Sequence, residues 1–166
     1  MEPEIKKILY ATDLSKNSSY AFLYALDLAK KYRANIIILH AVEPIPEFAL
    51  SYVAMVGESR EKRHEELVEK IKGSLQNFCK KAEAEIGAPC LDLISKVLVP
   101  VGYPPNEILN VAEEENCDLI VMGSHGKGFL AHTFLGSVSS AVLNRTKKPV
   151  FIVPLPEKVK IEWDGI

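Results

Sequence analysis

At 166 residues, 48% hydrophobic and 25% charged, the chain has the length and apolar content of one globular domain with a sizeable core. A formal net charge of -2 supplies no bulk attraction to nucleic acid or to an anionic membrane, and neither is expected as a partner. No apolar run approaches the roughly 18 residues of a spanning helix, and the acidic start Met1-Glu2-Pro3-Glu4 lacks the basic and apolar regions of a secretory signal, so a cytoplasmic location is expected.

Taken in order, Ile5 to Ala11 is a compact strand pattern that stops at Thr12-Asp13, and the polar run from Ser15 to Ser19 offers N-caps for a helix. Ala21, Ala25, Leu28, Ala29 and Tyr32 then recur at helical spacing as far as Arg33. Asn35 to Val42 is apolar without alternation, the pattern of an inner parallel strand covered on both faces. Residues 43–57 break this regularity with Pro44 and Pro46 and then group Phe48, Leu50, Tyr52, Val53 and Met55. That segment is expected either to pack as a short helix over the sheet or to serve as a lid at a ligand or subunit contact.

Residues 58–86 read as one long helix, with Leu67, Ile71, Leu75, Phe78, Ala82 and Ile86 at steps of three and four behind charged, solvated early turns. A third strand falls within residues 91–101, and Pro104 and Pro105 open a short helix that carries Ile108, Leu109, Val111 and Ala112. Residues 118–122 form a fourth strand, Val138, Ala141, Val142 and Arg145 mark a last helix, and a proline-bounded fifth strand at 149–154 belongs at an edge. Basic groups at 30–33 and 145–148 sit at helix ends, where they complement the helix dipole. The 3 cysteines, Cys79, Cys90 and Cys117, are odd in number and form no C-x-x-C pair, so they are expected as core residues or free thiols and not as a disulfide or zinc framework.

Between the fourth strand and the last helix lies Val121-Met122-Gly123-Ser124-His125-Gly126-Lys127-Gly128, resuming at Leu135-Gly136-Ser137-Val138. It is not a Walker A loop, because Val121 stands where the first glycine is needed and Gly128 follows the lysine. Gly126 to Ala131 matches the dinucleotide pattern only formally, since it follows the fourth strand and its helix starts too late. What remains is Gly123-x2-Gly126-x9-Gly136-Ser137. Gly123 and Gly126 let backbone approach phosphate oxygens, Gly136-Ser137 presents amides and a hydroxyl at a helix N-terminus that favours anions, and Lys127 and His125 add donors. Asp13 is placed for a ribose hydroxyl or for a metal ion on the phosphates.

Alternating strands and helices require a parallel sheet with helices on both faces and right-handed crossovers. Of the orders 2-1-3-4-5 and 3-2-1-4-5, the second brings Ala11-Thr12-Asp13 beside the glycine stretch at the point where strand order reverses. The expected fold class is therefore α/β, with a five-stranded parallel sheet in the order 3-2-1-4-5. That architecture is Rossmann-like.

The glycine spacing, with Met122 to Lys127 and Leu135 to Val138, resembles the nucleotide-binding branch of the universal stress protein family. Lys7 to Asp13, Ile38 to Val42 and Lys148 to Val153 resemble its first, second and last strands, so the likeness covers most of the chain apart from residues 43–66 and the tail. The resemblance implies the adenine nucleotide alpha hydrolase-like form of this architecture, and a site for ATP, or for AMP or ADP, with Mg²⁺ or Mn²⁺ carried on the nucleotide and touched by Asp13. It implies that backbone at Ala11 and Ala41 frames the adenine, and that Thr12, Asp13, Met122, Gly123, His125, Gly126, Lys127, Gly136, Ser137 and Val138 line the remainder. It also implies a homodimer through the strand at 149–154.

One family domain is thus expected over residues 1–155, with 43–57 as an irregular insertion or lid and 156–166 as a C-terminal tail anchored by Trp163. H-E-x-x-H, G-x-S-x-G and metal-ligand histidine spacings do not occur, so no catalytic residue is assigned, and any chemistry is expected to be slow ATP hydrolysis or phosphate transfer. The expected function is a nucleotide-dependent regulatory switch in a stress response, acting on a protein partner. A weak ATPase or phosphotransferase using Asp13, a metal and Lys127 is one alternative, and a nucleotide-free dimeric interaction module is the other.

Overall fold

A computed structural model describes residues 2–57, 59–87, 89–125 and 135–154 of the chain. Its elements are β1 (Lys7–Ala11), α1 (Lys16–Tyr32), β2 (Asn35–Leu39), α2 (Glu47–Met55), α3 (Arg60–Ile86), α4 (Cys90–Leu93), β3 (Ile94–Leu98), α5 (Pro104–Glu114), β4 (Leu119–Gly123), α6 (Ser137–Arg145) and β5 (Val150–Val153). Every ladder is parallel, and the strand order is β3-β2-β1-β4-β5. This is the order that the sequence favoured.

Strand periodicity divides the core in two. Ile8, Tyr10, Ile36, Ile38 and Val121 face α1 and α3, while Leu9, Ile37, Leu39, Ile120 and Met122 face α5 and α6. In the first layer Tyr10 stacks on Phe22 with centroids 4.7 Å apart, and Phe22 meets Phe78 at 5.2 Å. Such ring pairs contribute about 1 kcal/mol each beyond their buried area. The Tyr10 hydroxyl donates to the Ser18 carbonyl at 2.6 Å, so the ring is buried without an unpaired polar end. Helix α1 begins where the polar run predicts, with the Ser15 oxygen accepting from the Ser18 amide, and ends on Arg33 in the left-handed region at φ 55° behind Lys30 and Lys31.

Three features depart from the sequence reading. The third strand starts only at Ile94, because residues 90–93 make a helical turn behind Pro89. That turn is tied down: Cys79 on α3 and Cys90 form a disulfide, with Cα atoms 5.2 Å apart and both side chains fully buried. The expectation that the cysteines stay unpaired is therefore wrong for two of them, since the end of α3 folds back beside the turn and brings together residues that no C-x-x-C spacing links. Cys117 is a free, buried thiol as expected, and burial pushes its pKa up to about 11. The third concerns one of the two alternatives for residues 47–55, which are helical but do not pack over the sheet: no residue of α2 is buried, and Phe48 and Met55 are each 85% exposed.

Among the described residues no helix is long and apolar enough to cross a membrane. Trp163 and the rest of the tail lie outside the described residues.

Closing the Cys79–Cys90 loop, a separation of 11 residues, removes freedom from the unfolded chain. Such closure is worth roughly 2 to 3 kcal/mol in the chain-entropy account. Reduction under native conditions should therefore lower the melting temperature by about 5 to 10 °C. Alkylation of the unreduced, denatured chain should find one free thiol, and finding all 3 would show that the bond does not form.

Candidate functional site

A cavity of about 510 Å³ opens at the carboxyl ends of β1, β2 and β4, within the usual range for small-molecule sites. Three stretches of backbone build it, each peeling away from the sheet for a distinct local reason.

The first is the turn from β1 into α1. The Thr12 amide makes the last bond to β2, at 2.9 Å from the Leu39 carbonyl, and the chain then passes through Leu14 at φ 63°. A leucine in the left-handed region is unfavourable, and side chains hold it there. Thr12 Oγ1 accepts from the Leu14 amide at 2.9 Å while donating to Ser18 Oγ at 2.8 Å, and Asp13 Oδ1 accepts from the Ser15 amide at 3.0 Å. Asp13 is thereby fixed at the cavity wall.

The second stretch continues β2. The His40 amide donates to Leu98, the Val42 amide to Pro100, and the Val42 carbonyl accepts from Gly102, at 3.0, 2.8 and 2.8 Å. Residues 40 and 42 thus direct their backbone groups toward the β3 side. Strand alternation directs the N–H and C=O of Ala41 the other way, into the crevice that β1 has already left. The result is an adjacent donor and acceptor beside a largely apolar slot of Leu39, Val42, Pro104 and Ile108. His40 braces this edge by donating from Nδ1 to the Thr12 carbonyl at 2.9 Å.

The third stretch joins β4 to α6. Ser124 donates its amide to Val153 at 2.8 Å and accepts from the Gly136 amide at 2.7 Å, so both ends of the connection are pinned to the sheet. Ser139 Oγ donates to the Gly123 carbonyl at 2.8 Å and holds the first turn of α6 against the end of β4. Gly136 caps α6 without a side-chain bond, which leaves first-turn amides of a nine-residue helix directed at the cavity with the positive end of the helix dipole. A Cβ on Gly123 would stand 3.3 Å from the His125 carbonyl, tighter than ordinary contact. His125 is buried with Nδ1 3.0 Å from Ser124 Oγ.

Ala11, Thr12, Asp13, Ala41, Met122, Gly123, His125, Gly136, Ser137 and Val138 all line this one cavity. Gly126 and Lys127 lie outside the described residues. The sequence reading missed Ser18, His40, Glu43, Pro104, Ile108 and Ser139 as lining residues. The expected strand order was itself a signal for Pro104 and Ile108, because it places the turn after β3 beside the carboxyl end of β2. Among the described residues no group of three or more His, Cys, Asp or Glu could hold a metal ion by itself.

Residues 4–154 match the model of the universal stress protein family. The chain is 32% identical over 158 residues to universal stress protein MJ0577 of Methanocaldococcus jannaschii, covering 89% of this chain and 94% of that protein. The solved structure of MJ0577 superposes with a TM-score of 0.60 at 31% identity, over 92% of this chain and 98% of that one. UspA from Lactobacillus plantarum shares the fold at a TM-score of 0.71 and 22% identity, over 92% of this chain and 99% of that one. So does a universal stress protein solved in complex with cAMP, at a TM-score of 0.59 and 24% identity, over 92% and 99% of the two chains.

The Thr12 hydroxyl holds the strained turn beneath the site. Thr12→Val keeps the shape but strips partners from the Leu14 amide and Ser18, at a cost of about 1 to 3 kcal/mol. Thr12→Ser keeps the hydroxyl and should stay near wild type in urea unfolding. Equal stability of the two variants would show that the turn does not depend on this bond.

Proposed function

The chain belongs to the universal stress protein family, and on that footing we propose that it is an adenine-nucleotide-binding regulatory protein of the stress response whose output is a change of shape. The observation that carries this reading is the convergence of three chemically different subsites on one cavity. The backbone edge of Ala41 with its apolar slot suits a flat heterocycle, Asp13 suits a ribose hydroxyl, and the uncapped start of α6 suits phosphate. They follow β2, β1 and β4, which are neighbours in the sheet, so base, sugar and phosphate are met in their covalent order.

Mg²⁺ fits this site only together with the nucleotide. It is commonly held by one or two carboxylates plus substrate phosphates, and Asp13 is the carboxylate beside the phosphate subsite. Its charge would be offset by the ion, which supplies electrostatic neutralisation there.

The ligand would touch both His125 and Gly136, the two sides of the connection from β4 to α6, and would lie a few residues from exposed α2. Binding would therefore bias the surface that a partner protein reads. The same reading includes a homodimer through β5. That strand is an edge of the sheet, with Phe151 36% exposed beside Tyr24 at 5.8 Å, and a second β5 pairing with it would satisfy its open backbone groups.

Millimolar Mg·ATP should raise the melting temperature by several degrees, and a flat response would overturn the nucleotide reading. Asp13→Asn keeps an oxygen for the Ser15 amide and removes the charge. It should weaken Mg·ATP binding about tenfold in calorimetry, a typical loss for a charge-assisted contact. Phe151→Lys should give a monomer in light scattering with native circular dichroism, whereas an intact dimer would place the interface elsewhere.

A further inference from the structure

Glu43 lines the cavity two residues beyond Ala41, just past the point where Val42 pairs with Val101. Its side chain is exposed and has no hydrogen bond or ion pair among the described residues. Among the described residues neither packing nor a counter-charge holds this carboxylate beside the apolar slot. The other lining carboxylate, Asp13, is engaged with its own turn. Glu43 follows β2, and the phosphate-suited start of α6 lies beyond β4, with β1 between them. Two strand spacings separate these positions, about 10 Å. A carboxylate at that distance repels phosphate at its own end and leaves it undisturbed at the other.

We propose that Glu43 selects the base: its carboxylate accepts from the 6-amino group of adenine while the neighbouring ring nitrogen accepts from the Ala41 N–H. This inference rests on the nucleotide reading of the cavity and goes beyond it by naming the residue that sets base specificity. Adenine carries a 6-amino donor next to a ring-nitrogen acceptor, which matches an acceptor and the Ala41 N–H. A 6-oxo purine inverts the pattern. Its carbonyl oxygen would face a carboxylate, and two acceptors with no proton between them repel. Glu43 therefore favours the amino purine twice, by a bond made and by a repulsion avoided.

The test is titration calorimetry with ATP, ITP and GTP on the wild-type protein and on Glu43→Gln. The glutamine keeps the length of the side chain but adds an amide donor, so it can pair with a 6-oxo group. The wild type should bind ATP at least tenfold more tightly than ITP, and Glu43→Gln should reduce that ratio about tenfold. Most of the change should come from tighter ITP binding. Glu43 is exposed, so the melting temperature of the free variant should equal that of wild type. An ATP/ITP ratio unchanged by the substitution, with ATP binding intact, overturns the role of Glu43 and leaves the nucleotide site standing. A wild type that prefers ITP or GTP also overturns it. Absence of binding for all three nucleotides overturns the site itself, and the inference with it.

Discussion

The pairing of β1 with β4 is the constraint on which the rest of the structure depends. Leu9, Tyr10, Ile120 and Val121 are fully buried at this seam, and its amino end is clasped by Asp118, whose carboxylate accepts from the amides of both Lys6 and Lys7 at 2.9 Å. The Asp118 amide in turn donates to the Lys7 carbonyl at 2.8 Å. With register fixed there, the carboxyl ends of the two strands stop side by side. The chain leaves β1 for the face covered by α1 and α3, while β4 is reached from α5 and left through α6 on the opposite face. No crossover then covers the gap between them, and a cavity must open at that point.

Much of this was legible because a strand buried on both faces has no polar alternation to imitate a helix. Ile36 to Leu39 and Leu119 to Met122 announce themselves as inner strands, and the reversal between the first and fourth follows from placing them together. The glycines at 123 and 136 were legible for a related reason, since they stand where a strand ends and a helix has yet to begin. Less regular features were not. The turn at Cys90–Leu93 reads as the start of a strand because Leu91 and Leu93 run into the apolar Ile94, and the tether to Cys79 with Pro89 shows why the chain coils there first. Pairing of Cys79 with Cys90 depends on how α3 ends in space, and an odd cysteine count conceals it. Of the site, Ala11 to Asp13, Ala41 and the residues beside the glycines were visible, whereas Pro104 and Ile108 enter through the adjacency of strands distant in sequence.

Helix α2 illustrates a different limit. Its apolar residues suggest packing, yet none of its nine residues is fully buried, and it starts on Pro46 without a side-chain cap. Isolated helices of that length are marginal in water. Phe48, Tyr52 and Met55 form one exposed stripe at steps of four and three, on a helix whose only polar residues are Glu47 and Ser51.

The electrostatics of the cavity narrow what that ligand can be. Its described wall carries two carboxylates, Asp13 and Glu43, and no lysine or arginine. Among the described residues an anion would be met there by backbone amides, by the dipole of α6, by the Ser137 hydroxyl and by a cation that arrives with it. A ligand that is anionic throughout would be repelled along the β1 and β2 side, and a neutral heterocycle would gain nothing from the start of α6. On the proposed reading, such a wall suits a molecule charged at one end and amino-bearing at the other, with its metal attached to the charged end. This polarity comes from the strand order itself, because β1 and β2 end in carboxylates while β4 opens onto the uncapped helix. The topology thus sets which end of the cavity carries which charge, and side chains such as Asp13 and Glu43 supply it.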